Sequence, residues 1–305
     1  MSLNLEISVG PHIRDNLSTG NIMWWVIFAL LFPCAAAVYF FGLGALILIL
    51  FTTFMCVLFE AIFNLLAKKP VNIYDGSAAV TGILLALILP PTLPLWIAAA
   101  GSFFAIVVTK GLFGGLGFNF FNPALAGRAF LLASWPVAMT TWVTPFTAVT
   151  TATPLYLAKT GHMVPGYFDL FIGNRSGSLG ETSVLAILIG ASILFAKKII
   201  DWPAPTAFIG TVFILSYLLG HDPIFNVLSG GLIIGAFFMA TDYVTTPITT
   251  SGRFIFGLGC GIITVLIRFY GGYPEGVNYS IIFMNIFTPV LDRHLIPKFF
   301  GRAKA

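Results

Sequence analysis

From residue 21 onward the chain alternates long apolar runs with short polar breaks. A hydrocarbon core about 30 Å thick takes about 20 apolar residues wound as helix, because no water inside it can satisfy an open backbone. Asn21–Phe41 and Leu43–Phe63 meet that length and are separated by little more than Gly42. A shorter run, Gly76–Leu89, stops at Pro90-Pro91, and the next, Leu93–Thr109, ends at Lys110. After the glycine-rich stretch 111–117, the phrase Asn119-Phe120-Phe121-Asn122-Pro123 opens a fifth run that ends near Ala133 and holds Arg128 inside it. Five more follow: Glu181–Ala196, Ala204–Leu219, Phe225–Thr241, Phe254–Phe269 and Val277–Leu291. The pattern predicts an all-α polytopic membrane protein with about ten transmembrane helices.

The same pattern divides the chain. Residues 1–20 form a polar tail, 21–133 the first five runs, 134–180 a polar island, 181–291 the second five runs and 292–305 a basic tail. A shift of 157 residues lays Pro90 on Pro247, Gly114 on Gly271 and Gly115 on Gly272, and a nine-residue insertion then brings Pro123 onto Pro289. Each unit holds five runs; five is odd, so the second unit is expected to lie inverted relative to the first. In such folds the short, Pro/Gly-broken segments meet between the repeats. Here these are the third and eighth runs, and the Asn119–Arg128 stretch with its partner near Thr288–Arg293.

Composition excludes a soluble domain: 58% of residues are hydrophobic, 9% are charged and the mean hydropathy is +0.97. The net charge of +4 is distributed as the positive-inside rule expects, not as a basic face interleaved with stacking aromatics, which argues against nucleic acid. With the N-terminus inside, Arg14, Lys68, Lys69, Lys110, Lys197, Lys198, Arg253, Arg293, Lys298, Arg302 and Lys304 fall on the cytoplasmic side. Only Lys159, Arg175 and Arg268 fall outside, which makes 134–180 an extracytoplasmic loop. The cysteines, Cys34, Cys56 and Cys260, lie inside apolar runs and read as packing residues. His12, His162, His221 and His294 lie in separate loops or tails without metal-ligand spacing. Of the charges in or beside the apolar runs, Glu60, Asp75 and Asp292 are close enough to a run's end to reach the headgroups, as are Glu181 and Asp242; Arg128 is deep enough to require an acidic partner or an anionic ligand.

The polar island contains Thr150-Thr151-Ala152-Thr153-Pro154-Leu155. A Thr-Pro pair ends regular structure and is expected to leave Thr153 on an exposed turn with its hydroxyl available. Together with the phrase from Gly117 to Arg128 and the ten-run layout, this motif resembles the flavinylation site of the NqrB/RnfD family, membrane subunits of ion-pumping NADH:quinone and ferredoxin:NAD oxidoreductases. The resemblance covers the whole chain, and the short tail before the first run favours the Rnf branch. It departs from the family pattern at Thr147, where Asp is usual, and at Thr151, where Gly or Ser is usual. The resemblance implies FMN joined to Thr153 through a phosphoester by a flavin transferase, with Thr150, Thr151, Ala152, Pro154 and Leu155 completing the site. It further implies a noncovalent riboflavin toward the cytoplasmic side, and a prokaryotic cell (inner) membrane location.

On this reading the chain is not catalytic alone. It belongs to an ion-translocating (Na⁺ or H⁺) electron-transport complex coupling ferredoxin and NAD chemistry, with other membrane and peripheral subunits and a second FMN-bearing subunit on the outer face. The residues alone leave two rivals open. One is a channel or carrier of the same repeat without flavin; the other is a flavinylated component of a quinone-reducing or extracellular chain.

Overall fold

A computed structural model describes residues 18–70, 73–147, 149–273 and 275–295. Ser18 accepts the Asn21 N–H at 3.2 Å and starts α1, Thr19–Phe41. Gly42, at φ 73°, turns the chain directly into α2, Leu43–Leu66. Asp75 accepts from both the N–H and the hydroxyl of Ser77 at 2.9 Å, which fixes the start of α3, Ser77–Leu87. α4, Leu95–Phe103, continues without interruption as a π-helical segment, Phe104–Gly111. Asn122 caps α5, Pro123–Ser134, by accepting from Ala124 and Leu125. Three short helices follow in the polar island: α6, Pro136–Met139, α7, Pro154–Lys159, and α8, Tyr167–Ile172.

The second half holds α9, Val184–Ala196, α10, Pro203–Leu218, α11, Pro223–Leu228, α12, Leu232–Ile234 with a π-helical continuation Gly235–Met239, α13, Thr250–Tyr270, and α14, Val277–Leu295. Among the described residues the one β element is an isolated bridge between Val143 and Thr150. The architecture is all-α and polytopic, as the apolar runs predict. Three helices, α1, α2 and α13, are individually long and apolar enough to cross a membrane, at 23, 24 and 21 residues. The expected continuous run Phe225–Thr241 is instead broken between α11 and α12. Gly230 and Gly231 stand there at φ 69° and 64°, a left-handed backbone that a helix cannot continue through.

Packing repeats between the halves. α2 packs on α3 and α4, and α4 on α5; in the second half α10 packs on α13, and α13 on α14. The halves meet through corresponding helices, α1 with α9 and α5 with α14. The 157-residue shift therefore matches partners as well as sequence. The inserted nine residues do not: Pro123 opens α5, whereas Pro289 lies inside α14. The core runs continuously across both halves, from Ala29 and Leu30 through Leu85–Leu89 to Phe208, Phe256 and Ile281.

Candidate functional site

The Thr150–Leu155 segment is held by the loop before it. Thr150 bridges to Val143, the Thr151 N–H donates to the Trp142 carbonyl at 2.9 Å, and the Thr151 and Thr144 hydroxyls lie 3.1 Å apart. On its other side, Ser176 donates to the Ala152 carbonyl at 2.6 Å. Thr153 is the N-cap of α7, its hydroxyl accepting the Tyr156 N–H at 3.4 Å, with Pro154 as the first helical residue. This corrects the expectation of an exposed threonine. Thr150 and Thr151 are exposed and Ala152 is half-buried, but Thr153 is 2% exposed, and Pro154 and Leu155 are buried with it. The cause is packing that the motif does not advertise: Leu155 clusters with Leu170 and Phe225 and draws the cap inward.

Below this loop lies a buried ionic cluster. Arg128, on α5, donates to Glu275 in the α13–α14 connection, joining the two halves. The expected partner for Arg128 is thus an acid, one that the pattern of apolar runs does not single out because it stands in the short turn before α14. Arg175 donates to the carbonyls of Leu228, at 2.6 Å, and of Glu181. Arg268 donates to Asn226 at 2.6 Å and to Ser229 at 2.9 Å, closing the broken α11–α12 connection. Both arginines, expected on the extracytoplasmic side, are buried at 3% and 4% exposure. Carbonyls freed beside the Gly230-Gly231 break accept from the terminal nitrogens of both guanidinium groups, while the Nε of each stays buried without a partner. Glu181 is buried too, accepting from Ser178 at 3.0 Å. Burial raises the Glu275 carboxyl, with Arg128 opposing, and lowers Arg175.

A second polar site lies at the other end of α5. Its cavity is bounded by Ser77 and Thr81 of α3, by Asn119 and Asn122, and by Phe238 and Asp242 after α12. The third run, the eighth run and the Asn119 stretch therefore do converge, as the repeat predicts. The expected fourth party, Thr288–Arg293, meets the neighbouring turn instead, Thr288 donating to the Thr245 carbonyl at 2.8 Å. Lys110, expected as a cytoplasmic loop charge, is 3% exposed; its ammonium donates to Glu60 and to Ser77, both at 2.6 Å. Glu60 correspondingly does not reach for headgroups.

Elsewhere, Asp292 accepts the Ile248 N–H at 2.9 Å, and Arg253 pairs with Asp201. Lys159 donates to the Gly271 carbonyl, and His221 stacks on Phe269 at 4.1 Å. His162 and His221 share a cleft with Lys159 and Arg268, whereas His12 lies outside the described residues.

These features define a multi-pass α-helical membrane protein whose two halves enclose buried polar sites and carry a folded polar loop. The chain belongs to the NQR2, RnfD, RnfE family, whose model matches residues 6–301. It is 51% identical to the D subunit of the Na(+)-translocating ferredoxin:NAD(+) oxidoreductase complex of Acetobacterium woodii, over 99% of this chain and 97% of the relative. It is 46% identical to the D subunit of the proton-translocating ferredoxin:NAD(+) oxidoreductase complex of Clostridium ljungdahlii, over 97% and 96%. With the D subunit of the ion-translocating oxidoreductase complex of Stutzerimonas stutzeri it shares 40% identity over 93% of each chain.

Proposed function

We propose that this chain is the D-type membrane subunit of an ion-translocating ferredoxin:NAD oxidoreductase complex in a prokaryotic cell membrane. The observation that carries this is similarity along essentially the full length of both chains to two relatives with that name. Those two relatives differ in the ion they are named for, so the reading extends to Na⁺ or H⁺ without choosing.

Within that role the Thr150–Leu155 loop carries FMN as a phosphoester on Thr153, attached by a flavin transferase and facing a second flavin-bearing subunit on the extracytoplasmic side. The residues fit such a group in one respect and constrain it in another. Thr153 has a hydroxyl and follows the exposed Thr150 and Thr151, but that hydroxyl caps α7 and is enclosed, so the transferase reaches it only when the 149–152 segment is lifted from Trp142 and Ser176. FMN, when bound, supplies electron exchange in one- or two-electron steps; the protein supplies position and local field. For the noncovalent riboflavin the candidate is the cavity beside Lys110 and Asp242, where Asn119, Asn122 and Thr81 carry polar groups and Phe237 and Phe238 offer apolar walls.

The test is in-gel fluorescence of the denatured protein co-produced with a flavin transferase, beside a Thr153→Ala variant. Fluorescence in the first and none in the second is expected. A dark wild-type band with an active transferase turns the assignment toward a flavin-free channel or carrier.

A further inference from the structure

The glycine-rich turn from Gly111 to Phe118 is held by its own backbone: Leu112 donates to the Val107 carbonyl at 3.0 Å, Gly115 to Lys110 at 3.0 Å and Phe118 to Gly115 at 3.2 Å. A turn so tied and surrounded by water would carry polar side chains. This one carries Leu112, Phe113 and Phe118, all exposed, Phe118 by 71%. Gly114, at φ 127°, lets Phe118 fold back on the turn; a Cβ there would meet the Phe118 side chain at 3.1 Å. Three large apolar side chains are thus fixed in place outside the core.

Packing puts the turn at the edge of the bilayer. The π-helical continuation of α4 that leads into it packs along α2, where a Cβ on Gly111 would strike the Phe63 ring at 2.9 Å. Lys69, just past the end of α2, donates to the Gly114 carbonyl at 3.0 Å. α2 is long and apolar enough to cross a membrane, and its outward residues Leu50, Phe54, Leu65 and Leu66 stay exposed through its last turn. The glycine-rich turn is therefore seated at the end of a lipid-facing helix, where hydrocarbon gives way to headgroups. Charge selects the lipid. Lys68 and Lys69 are exposed, and among the described residues neither pairs with an acid. Lys68 stands at φ 54°, a left-handed position at a helix end where glycine is the easier residue, so this cation sits there against local preference. Apolar side chains beside unpaired lysines match a surface that is hydrocarbon on one side and anionic on the other. A water-soluble acidic partner would answer the lysines and leave the phenylalanines exposed.

We propose that Lys68, Lys69 and the 111–118 turn form a site for an anionic phospholipid of the cytoplasmic leaflet, its phosphate at the lysine pair and its acyl chains beside Leu112, Phe113 and Phe118. The leaflet follows from the positive-inside asymmetry of the chain. Leu116 of the same turn lines the cavity beside Lys110, so the lipid site adjoins that cavity.

The experiment places the photocrosslinker p-benzoylphenylalanine at Phe118 of the full-length chain, in membranes of cells that produce the whole complex. A phospholipid adduct, identified by mass, is expected; an adduct on another polypeptide, or no adduct, overturns the proposal. The headgroup is then read in vesicles of equal parts phosphatidylcholine and phosphatidylglycerol. The same probe at Phe54, on the lipid-facing side of α2, gives the composition of the surrounding bilayer. One lysine at an anionic membrane surface favours anionic lipid about fivefold. Adducts at Phe118 are therefore expected to be richer in phosphatidylglycerol than those at Phe54 by at least that factor, and Lys68→Gln/Lys69→Gln to abolish the difference while phospholipid adducts persist. All four positions are exposed, so the substitutions leave the packed core intact. Equal headgroup composition at Phe118 and Phe54, or an enrichment that survives in the lysine variant, overturns the proposal.

Discussion

Lys110 and Glu60 show how much a single buried charge depends on its partner. Their ammonium and carboxylate lie 2.6 Å apart with 3% and 12% of the side chains exposed, and Ser77 takes a second proton of the ammonium. Removing one member of such a pair strands the other in a low-dielectric site and costs about 3–5 kcal/mol, while replacing both by apolar residues is often nearly neutral. Lys110→Met is therefore expected to destabilise the detergent-solubilised protein by about 3 kcal/mol, and the Lys110→Met/Glu60→Met double variant to recover most of that. Denaturant or thermal unfolding of the four proteins in the cycle measures it. A double variant as unstable as the sum of the singles would show that the two charges act independently. Sequence alone reaches only half of this kind of feature. The depth of Arg128 in an apolar run shows that it needs a partner, but Glu275 lies 147 positions away and Glu60 lies 50 from Lys110, separations that only the packing of whole helices closes.

Between elements, the decisive contacts are backbone approaches at glycine. A Cβ placed on Gly190 would collide with the Ala29 carbonyl oxygen, so α1 and α9, the corresponding helices of the two halves, meet closely only because that carbon is missing. Gly190→Ala is expected to cost about 1–3 kcal/mol, the range for overpacking a well-filled interface. Gly210 is the control. It lies within α10 with nothing within 4 Å of its would-be Cβ, so Gly210→Ala is expected to stabilise by about 0.5–1 kcal/mol through helix propensity and the unfolded chain. Equal unfolding midpoints for the two variants would remove the close-approach account. The apolar runs made the long helices legible, Asn21–Phe41 against Thr19–Phe41 and Phe254–Phe269 against Thr250–Tyr270, because bilayer length and hydropathy act locally. They failed where a helix is not local, at Gly230-Gly231, whose broken ends are satisfied by guanidinium groups from other segments.

For the molecule as a whole, the all-α polytopic class was written in the apolar runs, while the state of the polar loop was not. A threonine-rich stretch shows no apolar period, so nothing in it announces that Thr153 packs inward or that Arg175 anchors the loop beneath it. On the proposed attachment of FMN to Thr153, the consequence is an order of events. A hydroxyl 2% exposed is poorly accessible to a transferase acting on the folded chain, whereas the same hydroxyl is open before the loop closes. Purified, flavin-free protein is therefore expected to accept FMN slowly, at a rate set by local opening of the 149–152 segment. Ser176→Ala removes the 2.6 Å bond to the Ala152 carbonyl, one of the ties across that opening. A net hydrogen bond of about 1 kcal/mol corresponds to an opening population about fivefold larger. The variant is thus expected to be flavinylated about fivefold faster in its folded state, and at the wild-type rate when transferase acts during synthesis. Identical rates for folded wild-type and Ser176→Ala protein would mean that closure of the loop does not gate attachment, and that the transferase engages Thr153 from a direction the 149–152 segment does not cover.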